Sequence, residues 1–413
     1  MVRLQLLDFQ QIAEGQLLEN TVNYFSVGQD KIGGRPVPYV GQLKAVTGAG
    51  KTPILTSVIG KLSPSIVLWT TKFGSVVDQT VANLRPGGKY HHLLGNGPVE
   101  VLKFSDIPSF ASWQRILEAT EGTTIIISTV ATWNAPDKKS AEKDERLNVH
   151  RIHPDWGGHL SRWDQLKFDR KRKLWIVYDE AHNTTSEQID QLDELEPAGF
   201  FVASASSLKG KLLLYLTNLP EEIRKQRIVP VRTFDVVEAQ LLKSTISFAD
   251  YNSPTEAIII DAAKRRQELE RKFGVLGEST IPKAIYVVET SNVAAKGVET
   301  RPVAIWRLLT GKCGIAPDSI AVCTNTKDLP QGAIRVETID QLSDNFTHII
   351  FNKKLQEGWD DPSVYVCYFD GKTDSATRIQ QVIGRALRQP NAKHLSDEDL
   401  NTGFFSLTAQ TKL

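Results

Sequence analysis

The segment 45–52 constrains the fold of this chain more than any other part of its 413 residues. It reads AVTGAGKT and lies between a β-type run at 38–46 and a helical pattern at 53–62. Glycines let a backbone curl so that several N–H groups face one anion, and the N-terminus of the following helix adds its dipole. The segment therefore predicts a phosphate-binding loop that joins a strand to a helix.

The lysine and threonine after the last glycine supply the rest of that chemistry. Lys51 is suited to reach the terminal phosphates of a nucleotide, and the hydroxyl of Thr52 is suited to ligate magnesium. Pro53 is tolerated in the first turn of a helix, where its missing N–H costs nothing. The alternative interpretation is a glycine-rich turn before an ordinary helix. We assign the following residues to nucleotide binding: Thr47, Gly48, Ala49, Gly50, Lys51 and Thr52.

Short, continuously apolar runs alternate with helical patterns along the chain, which is typical of parallel sheets covered on both faces. They form two series, separated by a polar stretch with prolines, and a strongly helical segment follows that stretch at 257–273. The runs are 65–70, 123–128, 174–178, 200–203, 283–288, 319–322, 347–351 and 364–369. We therefore expect an α/β protein with domain 1 at 1–206, a linker at 207–235 and domain 2 at 236–413.

Composition narrows the classes of function. The chain has no run of about eighteen apolar residues, so we expect no membrane span. Its N-terminus has no signal-peptide core, which indicates a cytoplasmic location. Cys313, Cys323 and Cys367 form no CxxC pair, which argues against a disulfide framework and against a zinc site. Because the net charge is only +1, any nucleic-acid site must be a local basic patch.

A charged insertion is expected at about 135–173. It contains the run KFDRKRK at 167–173, together with His150, His153 and His159. One interpretation is a solvated insertion. The other is a patch that contacts nucleic-acid phosphates, since clustered lysines and arginines attract backbone charge without reading base sequence. With no cysteine near them in sequence, the histidines do not favour a metal site.

The residues 179–182, DEAH, directly follow one of the apolar runs. A carboxylate at the C-terminal end of a buried parallel strand lies where open α/β sheets bind ligands. We expect Asp179 to hold magnesium, directly or through water, and Glu180 to be the general base that activates an attacking water. An exposed acidic turn is the alternative. The position after a strand, downstream of a phosphate-binding loop, favours a nucleotide hydrolase.

Two further motifs lie in the second half of the chain. The segment QVIGRALR at 381–388 places Gln381, Arg385 and Arg388 at i, i+4 and i+7, on one face of a helix. Such a helix can bury its other side and present two guanidinium groups, which suits an arginine finger that stabilises charge on a transferred phosphoryl group. An ordinary surface helix is the alternative. The second motif is LQEGWDDP at 355–362.

Together these segments resemble the motifs of superfamily 2 DEAH-type helicases and translocases. The segments 45–52 and 179–182 are similar to motifs I and II, 355–362 to motif V and 381–388 to motif VI. The resemblance implies two tandem RecA-like domains, each a mostly parallel sheet flanked by helices, with the site for ATP and Mg²⁺ in the cleft between them. It implies that Glu180, Gln381, Arg385 and Arg388 are catalytic, and that Gly358 and Asp360 approach the nucleotide.

The resemblance also implies roles for less distinctive positions. Gln10, with Gln11 as the competing choice, is similar to the glutamine that recognises adenine in this superfamily. Ser204 and Ser206 lie in a segment that resembles motif III, which implies coupling to His182. The ends of two other strands resemble motifs Ia and Ic and imply contacts with nucleic-acid phosphates rather than bases. These positions are Thr70, Thr71, Ser128 and Thr129.

Finer details are similar to the helicase part of type III restriction enzyme restriction subunits. They are the EGWDDP motif and the run GRALRQP at 384–390. This resemblance implies an ATP-dependent motor on duplex DNA, with a nuclease or a methyltransferase (modification) subunit as partner. The sequence shows no P-D…E-x-K pattern, so we expect no nuclease activity within this chain. An RNA helicase with the same core, and an ATP-gated nucleic-acid-binding subunit with little turnover, are the alternatives.

Overall fold

The computed structural model describes most of the chain and divides it into two compact units, residues 1–233 (unit 1) and 234–413 (unit 2). Each unit contains a seven-stranded sheet in which every pair of neighbouring strands is parallel. The described residues are 5–27, 31–32, 35–134, 149–179, 185–204, 208, 210–251, 255–288, 299–326, 329–338, 341–352, 361–370, 383–384 and 386–408.

Unit 1 alternates strands with helices along the chain. Its elements are α1 (Asp8–Val27), β1 (Lys31–Ile32), β2 (Arg35–Pro36), β3 (Tyr39–Lys44), α2 (Lys51–Gly60), β4 (Ser65–Thr71), α3 (Gly74–Leu84), β5 (Val99–Lys103), α4 (Phe110–Glu118), β6 (Thr123–Thr129), α5 (Arg162–Phe168), β7 (Lys173–Asp179), α6 (Ser186–Asp193), β8 (Gly199–Ser204), α7 (Gly210–Thr217), α8 (Glu221–Arg227) and β9 (Ile228–Pro230). The strands of the sheet lie in the order β5-β6-β4-β7-β8-β3-β9. The short pair β1–β2 is antiparallel and lies outside this sheet.

The central strands of unit 1 form because their sequences are apolar on both faces. All seven residues of β4 are buried, and the side chains of Ile66, Val67, Leu68 and Trp69 have no exposed surface. A strand that is covered by helices on both sides favours such a continuous β-branched and aromatic run. Parallel pairing then brings the C-terminal ends of β6, β4, β7, β8 and β3 to one edge of the sheet.

The stretch that we expected to be a linker, 207–235, is largely part of unit 1. Its residues 210–230 form α7, α8 and β9, and β9 pairs with β3 in register Gln42↔Ile228. Leu212 and Leu216 of α7 pack into the unit 1 core. The boundary between the compact units therefore falls between Thr233 and Phe234.

The described part of the charged insertion, 149–173, also packs onto unit 1. Val149, Trp163 and Leu166 belong to its core. The guanidinium of Arg172 is buried and donates to the carbonyls of Ile116, Gly122 and Ser65, among other acceptors. Part of this segment therefore belongs to the packed interior of unit 1, while residues such as Lys171 and Lys173 are exposed.

Unit 2 has the same layered organisation. Its elements are α9 (Thr233–Glu238), β10 (Thr245–Tyr251), α10 (Thr255–Val275), β11 (Lys283–Val288), α11 (Arg301–Gly311), β12 (Ile320–Cys323), β13 (Ile334–Arg335), β14 (His348–Phe351), β15 (Val364–Asp370) and β16 (Thr402–Thr408). The strand order is β10-β16-β15-β11-β14-β12-β13. Along β11, Ala284 and Tyr286 face one hydrophobic cluster while Ile285 and Val287 face another.

Two parallel sheets flanked by helices confirm the predicted fold class of two tandem RecA-like domains. In the ranges that the structure describes, no helix combines the length and apolar character needed to cross a bilayer.

Candidate nucleotide-binding site

The predicted phosphate-binding loop connects β3 to α2 at the carboxyl edge of the unit 1 sheet. Gly48 and Gly50 have φ values of 92° and 75°, in the left-handed region that glycine adopts without a Cβ penalty. α2 begins at Lys51, immediately after Gly50, which has no side chain to cap the helix. The loop thus turns the chain directly into a helix, whose N-terminus is a place where an anion can bind.

α2 is held rigidly against the sheet. Ile54, Leu55, Val58 and Ile59 have no exposed side-chain surface, so the helix packs its apolar side chains into unit 1. Lys51, at its first position, is 5% exposed. Core packing therefore fixes the direction of the helix axis and the height of the loop above the sheet.

The two predicted magnesium ligands come together. The hydroxyl of Thr52 on α2 donates to Oδ2 of Asp179 over 2.9 Å, although 127 residues separate them in the chain. Asp179 is the last residue of β7, and β8 lies between β7 and β3 in the sheet. The arrangement places one hydroxyl and one carboxylate side by side at the start of the helix that follows the loop.

Their chemistry fits magnesium. Mg²⁺ prefers oxygen ligands and is usually held by one or two carboxylates together with substrate phosphates and water. Across the described ranges, no cluster of three or more His, Cys, Asp or Glu side chains could bind a metal ion. Thr52 and Asp179 would hold the ion only as part of a set completed by phosphate oxygens and water.

Gln10 of α1 touches the same loop. Its amide Nε2 donates to the carbonyl of Ala49 over 3.1 Å, and its Oε1 accepts from the N–H of Leu7 over 3.0 Å. The side chain is 4% exposed, whereas Gln11 is exposed and donates to the carbonyl of Leu6. The structure therefore places Gln10, rather than Gln11, against the phosphate-binding loop, while its contact with adenine stays a prediction.

Sequence reasoning missed a second tie between α1 and α2. The carboxylate of Glu14, one turn after Gln10, accepts from the hydroxyl of Ser57 and pairs with Lys61 over 2.7 Å. Glu14 is 7% exposed and Ser57 is 6% exposed. The only sequence signal was the i, i+4 spacing of Gln10 and Glu14, which puts both on one helix face. α1 thereby braces both ends of the helix that carries Lys51 and Thr52.

Ser204, one of the residues predicted to have a coupling role, lies at the end of the strand between β3 and β7. Ser204 ends β8, is fully buried and pairs in register with Lys44 at the end of β3. Its neighbour Ala203 pairs with Asp179 on the other side. Glu180, His182 and Ser206 lie outside the described residues, so their roles stay predictions.

The four positions predicted to contact nucleic acid lie where expected, at the ends of β4 and β6. Three of them are buried, and their hydroxyls are bonded inside the fold. Thr70 donates to the carbonyl of Val177 over 3.0 Å, Thr71 donates to the carbonyl of Phe73 over 3.2 Å, and Ser128 accepts from Nε1 of Trp133 over 2.7 Å. Thr129 is half-buried, and its hydroxyl is hydrogen-bonded to that of Thr132 over 3.1 Å. The assignment stays a prediction.

The basic run 167–173 is largely used within unit 1. Arg170 donates to the carbonyls of Leu166, Lys167 and Glu196, and burial lowers the pKa of its guanidinium. Arg172 is buried, as described above. This leaves the lysines of the run, of which Lys171 and Lys173 are exposed, as candidates for contact with phosphate.

In unit 2 the structure describes only part of the two predicted motifs. The N–H of Leu387 donates to the carbonyl of Ile383 over 3.0 Å, which is one helical turn, and Ala386 is buried. Arg388 follows this turn and is half-buried. The other assigned positions lie outside the described residues: Gly358, Asp360, Gln381 and Arg385.

Comparison with known proteins adds a family and a set of similar folds. Residues 5–222 match the family model described as "Type III restriction enzyme, res subunit". That range is slightly more than half of the chain and includes the loop, Asp179 and every strand of the unit 1 sheet except β9, but not motifs V and VI. No curated protein sequence matches the chain.

Three solved structures are similar to the whole chain at low sequence identity. RecG bound to a three-way DNA junction has 11% identity and a TM-score of 0.49, and covers 100% of this chain. Mss116p bound to single-stranded RNA and AMP-PNP has 13% identity and a TM-score of 0.46, and covers 99%. A hypothetical ATP-dependent RNA helicase from Sulfolobus tokodaii has 14% identity and a TM-score of 0.30, and covers 98%.

The chain spans 44% of the RecG chain, 76% of the Mss116p chain and 92% of the Sulfolobus chain. The family match covers the strands, the loop and the carboxylate whose convergence is described above. The chain belongs to the family of type III restriction enzyme res subunits.

Proposed function

We propose that this chain is a DNA-stimulated ATPase that acts as a helicase or translocase on duplex DNA. The observation that carries the proposal is the 2.9 Å contact between the Thr52 hydroxyl and the Asp179 carboxylate at the first turn of α2. A hydroxyl, a carboxylate and a left-handed glycine loop at one helix N-terminus form a set suited to a magnesium–triphosphate.

Each residue in unit 1 has a distinct task in this proposal. The backbone N–H groups of residues 47–51 cradle the phosphates, and Lys51 places a positive charge on the terminal ones. Thr52 and Asp179 hold magnesium, which when bound neutralises charge on the phosphate oxygens. Glu180 orients the attacking water and accepts its proton. Gln10 contacts the adenine.

The second domain completes the reaction. Arg385 and Arg388 reach the transferred phosphoryl group from unit 2, with Gln381, Gly358 and Asp360 beside the nucleotide. Hydrolysis then removes the terminal phosphate that both domains hold, and the states before and after hydrolysis differ in their affinity for nucleic acid. His182, Ser204 and Ser206 connect the two events, because they lie at or shortly after the ends of β7 and β8 in the sequence.

Nucleic acid is held mainly through its backbone. The ends of β4 and β6, including Thr129, make contacts with phosphate that carry little base specificity. Binding should therefore weaken steeply as salt rises, because each neutralised phosphate releases counterions. A complex whose affinity does not change between low and high salt would contradict this part of the proposal.

The test is steady-state ATP hydrolysis by the purified chain, alone and with duplex DNA, single-stranded DNA and RNA. Stimulation by duplex DNA supports the proposal, and stimulation by RNA alone replaces it with an RNA helicase. Hydrolysis that stays at background with every nucleic acid, despite bound nucleotide, indicates an ATP-gated binding subunit.

Two substitutions assign the roles. Lys51→Ala should weaken nucleotide binding by about 1.5–3 kcal/mol, because it removes a charge-assisted contact. Glu180→Gln should retain binding and stop turnover. The matched controls are Lys89→Ala and Glu187→Gln, since both residues are exposed and lie outside the loop. Equal loss of nucleotide binding in K51A and E180Q would contradict these roles.

The family resemblance also motivates a partner. We propose that a nuclease or a methyltransferase (modification) subunit associates with this chain, and that the assembly is cytoplasmic. Co-purification of the chain with candidate subunits encoded beside it would test the partnership, and a chain that hydrolyses ATP fully by itself but never associates would argue against it.

A further inference from the structure

The start of unit 2 is joined to the end of predicted motif VI by backbone hydrogen bonds. We call residues 240–244 the anchor segment. The N–H of Lys243 donates to the carbonyl of Leu387 over 2.6 Å, and the N–H of Gln389 donates to the carbonyl of Leu241 over 3.0 Å. Leu242 forms an isolated antiparallel bridge with Arg388 between these bonds. The anchor segment therefore behaves as a short strand laid along residues 387–389.

The side chain of Lys243 extends this junction inward. Its ammonium donates to the carbonyl of Arg388, to the carbonyl of Val364 over 3.1 Å and to the carbonyl of Pro362 over 3.4 Å. It also lies 3.9 Å from the ring centroid of Tyr365. A lysine ammonium has three N–H donors, and here each has a carbonyl within reach.

The carbonyls that Lys243 contacts lie at or next to the ends of predicted motifs V and VI. Pro362 is the last residue of predicted motif V, and Arg388 is the last residue of predicted motif VI. Val364 begins β15, directly after motif V. One ammonium thus ties the ends of both motifs to each other and to the sheet.

A cation at this place is costly for folding. Lys243 is 2% exposed, and burial lowers its pKa to about 7. An apolar residue of the same length would fill the space without that penalty. An apolar residue, however, has no N–H donors with which to orient the carbonyls of Pro362, Val364 and Arg388.

We propose that Lys243 is a positioning residue for the arginines of motif VI, because it locks the ends of motifs V and VI together. This inference rests on the proposed function, in which Arg385 and Arg388 stabilise the transferred phosphoryl group. Lys243 itself touches neither nucleotide nor nucleic acid in the proposal. Its loss should lower the rate of hydrolysis while leaving the binding of nucleotide to unit 1 unchanged.

The experiment is a double-mutant cycle on nucleic-acid-stimulated ATP hydrolysis, with Lys243→Met, Arg385→Ala and the double variant. Displacing catalytic groups by the order of 1 Å costs up to about 100-fold in rate, so we expect K243M to lower kcat by about 10- to 100-fold. Binding of ATP should change by less than about 2-fold. In the R385A background, K243M should lower kcat by a smaller factor than in the unsubstituted chain, because one of the two arginines it positions is already absent.

Two further variants guard the interpretation. Lys243→Gln retains an N–H donor and replaces K243M in the experiment if K243M does not fold. It should reduce kcat less than K243M does. Lys272→Met removes another lysine of unit 2, whose ammonium pairs with Asp397 and Asp399 instead of motif carbonyls. K272M should leave kcat within about 2-fold of the unsubstituted chain.

The outcomes separate this inference from the proposed function. K243M and K243Q with unchanged kcat, or a loss of the same factor in both backgrounds, overturns the positioning role and leaves the ATPase intact. R385A with unchanged kcat refutes the finger role assigned under the proposed function, and the positioning role of Lys243 is refuted with it.

Discussion

Gly50→Ala should destabilise unit 1 by about 2–3 kcal/mol, and the structure divides that cost into two parts. Gly50 has φ of 75°, and an alanine held in the left-handed region costs about 1–2 kcal/mol. A Cβ at this position would lie 2.2 Å from Nε2 of Gln10, closer than the 3.0 Å below which a neighbour must shift. The Gln10 amide would be displaced from the carbonyl of Ala49, with a net loss of about 1 kcal/mol for that hydrogen bond.

The two parts can be separated with Gln10→Ala. This substitution alone should cost about 1 kcal/mol. It also removes the atom that the new Cβ would meet. The free energy of unfolding of the double variant should therefore fall by only about 2–3 kcal/mol, whereas the two single effects sum to about 3–4 kcal/mol. The difference is a coupling energy of about 1 kcal/mol. Gly15→Ala is the matched control. A Cβ on Gly15 meets nothing within 4 Å, and an alanine within α1 should stabilise by about 0.5–1 kcal/mol.

The assay is urea denaturation followed by tryptophan fluorescence. Six of the eight tryptophans lie in unit 1, so the signal reports mainly on that unit. They are Trp69, Trp113, Trp133, Trp156, Trp163 and Trp175. Strictly additive effects of G50A and Q10A would refute the reasoning, because they would show that the glutamine is not the neighbour that excludes a side chain at Gly50.

Three more results follow from the described contacts. Thr52→Val should weaken ATP binding about 10-fold when Mg²⁺ is present and hardly at all in EDTA, as measured by titration calorimetry, because it removes a hydroxyl bonded to a carboxylate. Arg172→Met should destabilise unit 1 by more than about 3 kcal/mol in urea denaturation, since it leaves several buried carbonyls without their donor. Burial lowers the pKa of Lys243 to about 7 in the folded chain, and Cys367 and Asp361 oppose this shift. Between about pH 7 and 10, Lys243 is therefore mostly protonated in the unfolded chain and mostly neutral in the folded chain. The free energy of unfolding should therefore rise by about 2 kcal/mol from pH 7 to 9 through this group, and K243M should lack that rise; an equal rise in both proteins would exclude Lys243 as its source.

The fold class and the core of the site were predictable because both depend on local patterns. Strands covered on both faces must be apolar throughout, so β4, β6, β7 and β8 are visible as runs in the sequence. A parallel sheet then brings every strand end to one edge, so Thr52 and Asp179 could be placed together without knowing the strand order.

Tertiary partners were not predictable, since no local pattern encodes them. The run 167–173 is typical of a solvated surface, yet Arg172 is buried because backbone carbonyls of α4 and of the turn before β6 surround it. The stretch 207–235 resembles a linker because β9 is three residues long and ends in proline. It belongs to unit 1 because β3 offers it a free edge. The hydroxyls of Thr70 and Ser128 illustrate the same limit, since a polar side chain at a strand end can serve the fold as well as a ligand.

The order of the unit 1 sheet explains why the end of β8 must be small. β8 lies between β3, which leads into the phosphate-binding loop, and β7, which ends in Asp179. Ala203 pairs with Asp179 on one side, and Ser204 pairs with Lys44 on the other. The first turn of α2, which follows β3, therefore reaches across the end of β8 when the Thr52 hydroxyl bonds to the Asp179 carboxylate. A larger side chain there would raise the helix and separate the two oxygens, because a close-packed interior cannot absorb the added volume without moving a neighbour. Successive side chains of a strand point to opposite faces, and Ser204 shares a face with Phe200 and Val202, whose hydrophobic cluster contains no residue of α2. The small side chain of Ala203 is therefore the steric condition for the site.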